Sequence, residues 1–396
     1  MTRRLTSVRH FLCGQQCLTL VLVCKLLVTC LVIAAAGCGP REPVVKIGFV
    51  APLTGDQASP GQDLLKGAQL AIAQAQAEGP VLPGYRLELV ALDDQRSPTQ
   101  AVAAAKKLVS DPDVLAVVGH LNSSCTMPAS AIYHQGRLLQ ISPVSSNPQI
   151  SRQGFDTFYR TCATDDLQGP AAASFAVKEL AARTVVILDD MTTYGRGLAN
   201  EFEKQLTALG GRVLMHEGIT QGDKDFTPLL TKIKSLQPDL IYFAGMFPEG
   251  ALLIRQRYDL GMGGHFLGGD GLYDHTLIQL ATPQAAEGIY ATTIGADIRQ
   301  VPTAQEFVKA YEAAYGPVGA YSAYAYEAAR LALWAIKTAG RKDRQAVLAA
   351  MHTLTDYPGV FGRQGFDERG DSRIRDIGLF TVRDGRFVFL KTVSVE

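Results

Sequence analysis

The chain has 396 residues, 47% hydrophobic and 19% charged, with 38 basic side chains against 38 acidic ones. That length accommodates two domains of ordinary size, each with its own core, and the composition is that of a folded globular protein. Without a net charge or a basic tract in its main body, the sequence lacks the electrostatic footprint of a nucleic-acid or anionic-lipid binder.

The amino terminus stands apart. Arg3, Arg4 and Arg9 precede two apolar runs, residues 18–23 and 26–36, with Lys25 between them. A basic start followed by an apolar stretch that a charge interrupts is the layout of a secretion signal rather than of a spanning helix. The second run closes on Ala35-Ala36-Gly37-Cys38, which resembles the bacterial lipobox, although Ala35 stands where that motif usually has leucine. The expectation is a signal over residues 1–37, lipidation at Cys38 and a tether over 38–43. Removing the signal takes away four basic residues and no acidic one, so the mature chain is mildly acidic. Its expected membrane contact is the lipid alone. Four of the seven cysteines fall in the signal, and past Cys38 only Cys125 and Cys162 remain. An oxidising compartment permits these two to pair without requiring it. No CxxC or Cys/His spacing suggests zinc.

From residue 44 the pattern becomes regular. Strand periodicity over 44–50 leads into an amphipathic helix over 64–77. Then come strand 87–92, helix 99–109, strand 114–118, helix 127–135 and strand 138–141. A second series begins near Ala171: helix to 180, strand 184–188, helix 197–209, strand 213–219, helix 227–236, strand 240–244, helix 250–258, strand 266–268, a short helix over 276–280 and strand 288–292. Strands alternating with helices of this length predict an α/β fold with parallel sheets covered on both faces. Residues 106–119 and 232–245 share a helix end, Pro-Asp, an apolar strand and a glycine in one register, which predicts two α/β units of one design. Toward the carboxyl terminus the pattern predicts helices over 303–315, 321–338 and 344–354, then a hairpin over 377–390 turning at Asp384-Gly385.

Ligands of such sheets bind beyond the carboxyl ends of the strands. In the first unit those ends carry Leu53-Thr-Gly-Asp-Gln57, Asp93-Asp94, His120-Leu-Asn-Ser-Ser124 and Ser142-Pro-Val-Ser-Ser146. In the second they carry 189–194, ending in Tyr194, then Met246-Phe-Pro-Glu249 and Gly268-Gly-Asp-Gly271. One side is rich in hydroxyls; the other offers a carboxylate and an aromatic. That asymmetry suits a zwitterion. Ser123 at a helix start, where free amides favour an anion, would receive a carboxylate with Ser145 and Ser146 beside it. Asp270 would accept from an ammonium.

Each residue also has a plainer use. Ser123 or Ser124 serves as an ordinary N-cap, Asp270 as a turn residue, Tyr194 as packing, His120 as a satisfied interior histidine, and Asp93-Asp94 as a solvated strand end or a hinge contact. No nucleophile elbow, phosphate-binding glycine loop, His-Glu-x-x-His or dinucleotide fingerprint occurs. A serine nucleophile at Ser123 would need a base from His120, His134 or His265, whose spacing does not favour it. The reading is of a binding protein, not an enzyme, with neither cofactor nor metal.

Taken together, residues 119–130 (GHLNSSCTMPAS), Ile132-Tyr133, Ile141-Ser-Pro143, Arg160-Thr161, Asp166 to Pro170, Tyr194-Gly195, 223–226 and 365–371 resemble the branched-chain amino acid binding proteins of bacterial ABC importers. The likeness runs from about Val45 to the hairpin. It implies two doubly wound parallel-sheet lobes joined by a three-segment hinge, with lobe 1 over 44–164 and 294–362 and lobe 2 over 165–293 and 363–396. It further implies that Ser123, the backbone of Val144 or Ser145, and Ser146 hold an α-carboxylate. Asp270 (commonly Glu in the family) and Tyr194 would hold the ammonium, with Tyr321 and Met246 alongside. Met246 occupies a position that is often tyrosine, and the aromatic after the first strand is replaced near Ser59-Pro60. The family's occasional disulfide would fall on Arg96 or a neighbour and Asn122, and so cannot form. The implied function is capture of an amino acid, aliphatic or branched-chain, by a monomer that hands it to permease subunits outside the cytoplasm. The alternative is a receptor of the same fold that senses an amide or another small polar solute without transport.

Overall fold

The computed structural model describes residues 43–394. The signal over 1–37, lipidation at Cys38 and all but the last residue of the tether lie outside the described residues. Strands β1 (Val44–Ala51), β2 (Arg86–Asp93), β3 (Val114–Gly119), β4 (Leu139–Ser142) and β5 (Phe158–Arg160) form one parallel sheet in the order β2-β1-β3-β4-β5. A second sheet contains β6 (Thr184–Asp189), β7 (Arg212–Gly218), β8 (Leu240–Ala244), β9 (His265–Gly268), β10 (Tyr290–Thr292), β13 (Asp376–Arg383) and β14 (Arg386–Ser394). Its order is β14-β13-β10-β9-β8-β6-β7, and a separate hairpin pairs β11 (Tyr357–Gly359) with β12 (Gly362–Gln364).

The repeat seen in the sequence has a structural counterpart. The arrangement β2-β1-β3-β4 recurs as β7-β6-β8-β9, and the two Pro-Asp motifs lead into the equivalent strands β3 and β8. Every residue of β3 and of β8 is buried, as strands covered on both faces should be. The terminal hairpin turns at Asp384-Gly385, and β13 joins β10 antiparallel, so the tail completes the second sheet.

Three chain segments pass between the sheets: one after β5, one after β10 and one before β13. They lie side by side. The Ala163 amide donates to the Ile294 carbonyl at 2.9 Å, Thr293 to Gly378 at 2.9 Å and Gly378 to Gly295 at 2.9 Å. A hydrogen-bonded ribbon of short crossings can twist while each lobe keeps its own packing.

Several helices begin earlier than apolar periodicity predicts. The first spans Ala58–Glu78, the one after β3 spans Ser123–Gln135, and the one after β5 spans Asp165–Lys178. Their opening turns are rich in Ser, Thr, Asp, Gly and Pro, which bear no apolar stripe yet are suited to helix starts. β5, with three residues, went unpredicted. Cys125 and Cys162 are both buried and unpaired, and burial pushes both thiols up. No helix of the described residues is long and apolar enough to cross a membrane.

The helix Ser322–Ala339 packs on the first helix and behind β3 and β4, and it carries the buried Glu327. Glu327 accepts from the Val360 amide at 3.1 Å, and its second oxygen has no partner. Burial therefore pushes its pKa up to about 7, against a pull from Val360 and Arg330. An unfolded glutamic acid titrates near 4.5. Between those two pH values the folded chain holds a proton that the unfolded chain has lost. Stability from this group is thus full below the lower value and falls as pH rises through the upper one, by roughly 3 kcal/mol. Glu327→Gln keeps the acceptor and removes the titration. Urea unfolding should show the variant gaining that amount over the parent at pH 8 and little at pH 5; a gain independent of pH would show that Glu327 does not titrate in this range.

Candidate ligand site between the lobes

The strand ends of the two sheets face each other in a closed arrangement. Asn147 donates to the Thr193 carbonyl at 2.6 Å, and Ser59 donates to Asp274 at 3.2 Å, each bond running from one lobe to the other. The eight residues that the resemblance implies for the ligand site lie at this junction or border it, and all are buried: Ser123, Val144, Ser145, Ser146, Tyr194, Met246, Asp270 and Tyr321.

On the first lobe, Ser123 opens its helix, and its hydroxyl accepts from the Asn147 amide at 3.3 Å, which leaves its own hydrogen free to donate. Ser145 is engaged elsewhere. Its hydroxyl lies 2.9 Å from the Leu121 carbonyl, 3.1 Å from that of His120 and 2.6 Å from the Thr126 hydroxyl. Its amide donates to Ser142 at 3.1 Å. Ser145 thus fixes the loop, while Ser146 presents its hydroxyl toward Asp165.

Arg160, fully buried, holds the same loop from behind. Its guanidinium donates to the Ser145 carbonyl at 2.7 Å, to the Asn147 carbonyl at 2.9 Å and to Asp371 at 2.6 Å. Asp371 lies on the segment leading to β13, so the hydroxyl loop is tied to the hinge. That explains the pairing of Arg160 with the 365–371 motif.

On the second lobe, Asp270 sits in a single helical turn after β9. One of its oxygens accepts from the Tyr194 hydroxyl at 2.8 Å and from Gln168 at 3.1 Å, and the other from the Tyr321 hydroxyl at 3.0 Å. Burial raises its pKa, while Tyr194, Gln168 and Tyr321 favour the ionised form. Tyr321 is aimed by Asp63, which accepts from the Tyr321 amide at 2.8 Å, the Ser322 amide at 2.9 Å and the Tyr311 hydroxyl at 2.8 Å. Met246 packs against Gly271, whose lack of a side chain leaves room for the sulfur.

The structure adds residues that sequence reasoning missed. Neither oxygen of the fully buried Asp165 has a hydrogen-bond partner, and the Oε1 of Gln168, one turn further along the same helix, is also unpaired. Burial pushes Asp165 well above the usual carboxylate range; Ser146 opposes this and the Asp270 charge reinforces it. The signal was present as Thr164-Asp165-Asp166, but acids in a first helical turn are ordinarily explained by the helix dipole. Acceptors therefore gather on one side, from Asp165, Gln168 and Asp270, and the free hydroxyl hydrogen of Ser123 stands on the other. Leu121, Val144, Tyr194, Met246 and Tyr321 belong to one continuous apolar cluster around them.

No acid–base machinery forms at His120. Its ring is 2.7 Å from Asp94 and 3.2 Å from the Tyr133 hydroxyl, and Ser123 does not contact it. His120 is a satisfied interior histidine. Asp93 accepts from Leu53, Thr54 and Gln95 and closes a loop. Among the described residues no group of three or more acidic, histidine or cysteine side chains is placed to hold a metal ion.

A hinged pair of α/β lobes with polar groups of opposite character facing each other defines a small-molecule binding protein of the clamshell class. The sequence model of a periplasmic binding protein family matches residues 44–386. The chain belongs to that family, whose members bind solutes rather than transform them. A Leu/Ile/Val-binding protein homolog from Brucella suis is 36% identical over 363 residues, covering 91% of this chain and 96% of the relative. The structure of a leucine binding protein, LivK, from Thermotoga maritima superposes with a TM-score of 0.82 at 33% identity, over 89% of this chain and 99% of that one. LivJ from Streptococcus pneumoniae, a branched-chain amino acid transporter substrate binding protein solved with isoleucine, gives 0.82 at 27% identity over 89% and 100%.

A charged link also joins the lobes. The Arg96 side chain, 9% exposed, lies 3.1 Å from Asp56 on its own lobe and 3.6 Å from the buried Glu249 on the other. Gln221, with its amide oxygen turned to the guanidinium, accepts at 2.5 and 3.2 Å. Arg96→Ala removes this link and leaves the groups around Asp270 in place. Small-angle scattering should then give a larger radius of gyration for the ligand-free variant than for the parent. Equal radii would show that the link does not hold the lobes together.

Proposed function

We propose that this chain is the capture component of an ABC importer and closes its two lobes on an α-amino acid with a neutral, largely aliphatic side chain, as a branched-chain amino acid has. The observation that carries the reading is the buried carboxylate of Asp270, gripped by Tyr194, Tyr321 and Gln168 and facing hydroxyls rather than cations. An ammonium completes the acceptor side, and an α-carboxylate takes the hydrogens of Ser123 and Ser146 and the backbone amide of Val144, the Ser145 amide being committed to Ser142. The two Leu/Ile/Val-type relatives and the apolar wall of Val144, Met246 and Tyr321 support an aliphatic side chain. Closure excludes water, which strengthens each charge-assisted bond. No covalent step is involved.

In this reading lobe 1 comprises 44–164 and 294–362, and lobe 2 comprises 165–293 and 363–396. Residues 1–37 direct export, and Cys38 carries the lipid that keeps a monomer outside the cytoplasm beside its permease. A thermal-shift panel of amino acids on ligand-stripped protein tests the central claim, because a ligand at 100 times its Kd adds about 2.7 kcal/mol. No stabilisation by any amino acid would defeat it. Asp270→Ala should weaken binding by at least about 30-fold with unchanged circular dichroism; undiminished affinity would put the ammonium elsewhere.

A further inference from the structure

The residues just ahead of the first and third helices of lobe 1, Gln57 and Asn122, occupy N-cap positions, yet neither side chain caps its helix. For asparagine this is unexpected, since it is among the best capping residues. Instead the Asn122 amide nitrogen donates to the Gln57 amide oxygen at 2.9 Å. The helices they precede follow β1 and β3, which are adjacent in the sheet although β2 lies between them in sequence. At that point successive strands begin to be added on the opposite side of β1. The crevice it creates is where open α/β sheets receive ligands.

The pair leaves two atoms without partners: the nitrogen of Gln57, a residue 0% exposed, and the oxygen of Asn122. Buried polar atoms are seldom left unpaired. Exchanging nitrogen and oxygen in both amides gives the same inventory, so the conclusion does not depend on amide orientation. What remains is one donor and one acceptor, side by side. An alkyl group satisfies neither, a carboxylate offers no donor, and a guanidinium or ammonium offers no acceptor. A hydroxyl meets both only by using its one oxygen as donor and acceptor at once, whereas a carboxamide meets each with a separate atom, its oxygen accepting from Gln57 and its nitrogen donating to Asn122. Asn122 immediately precedes Ser123, so a group held here lies on the same side of the cleft as the proposed α-carboxylate contact.

We propose that the Gln57–Asn122 amide pair is a side-chain subsite of the cleft and that it selects an α-amino acid whose aliphatic chain ends in a carboxamide. This rests on the α-amino acid reading above and departs from it in the side chain, whose end is a carboxamide rather than a branched alkyl group. The test is calorimetric titration of the ligand-stripped mature chain with glutamine, asparagine, leucine, norleucine and methionine. Glutamine or asparagine should bind at least tenfold more tightly than the hydrocarbon and thioether side chains. The double variant Gln57→Leu/Asn122→Leu should reverse that order. Should it fail to fold, as circular dichroism would show, Asn122→Asp serves in its place. It engages the Gln57 nitrogen, leaves no donor for the carboxamide oxygen and should erase the preference for amides.

Tight binding of leucine with weak or no binding of the amides would overturn the subsite and leave the α-amino acid reading standing. A preference for amides that survives both variants would mean that water satisfies the pair, and would overturn the subsite as well. Failure of every amino acid in the panel would overturn both.

Discussion

The closed form is organised around a carboxylate that neither lobe satisfies alone. Asp270 comes from lobe 2 with Tyr194 and Gln168, whereas Tyr321 begins a helix that packs on lobe 1. A carboxylate buried in an apolar cluster is tolerated only with several donors. When the lobes part, Tyr321 leaves and water replaces it; when they close, the charge must be met from both sides at once. Domain closure and charge satisfaction are therefore one event.

The supporting structure follows from that requirement. Asp63 fixes the helix start that delivers Tyr321, and Arg160 fixes the loop that delivers Ser146. Both are charged groups committed to backbone atoms, which makes them rigid supports rather than ligand contacts. Because Arg160 also grips Asp371 on a hinge crossing, movement of the hinge and movement of the hydroxyl loop are mechanically linked. Arg96 adds a second, more peripheral link whose partners, Asp56 and Glu249, lie on opposite lobes.

The architecture was readable because β1, β3 and β8 are apolar runs and the helices between them carry clear stripes. The repeat at 106–119 and 232–245 announced the equivalence of β3 and β8, which the strand orders bear out. The site was harder to read for a physical reason. Several residues at the junction of the lobes sit in the first turns of helices, where polar and small residues replace the apolar stripe. Periodicity therefore missed Ala58 to Asp63, Ser123 and Asp165, the turns where chemistry is concentrated. Ser123 and Asp270 were reached through the character of the strand ends and the family resemblance. Asp165 was not, because an acid at a helix start already has an ordinary explanation.

The unpaired atoms show how these first turns can differ in purpose. Asp165 and Gln168 leave only oxygens unmatched, the complement of a cation, whereas Gln57 and Asn122 leave one atom of each kind. Had Asn122 capped its helix, its oxygen would be spent on a backbone amide, and Gln57 would lack the donor that pins its carbonyl. Giving up one cap thus frees a matched donor and acceptor at the crevice between β1 and β3. The loss is moderated because Cys125 and Thr126 still donate to the Asn122 backbone carbonyl at 2.9 Å, so the helix starts at Ser123 without side-chain help. The same short turn can then orient Ser123 through its backbone and read a neighbouring group through its side chain.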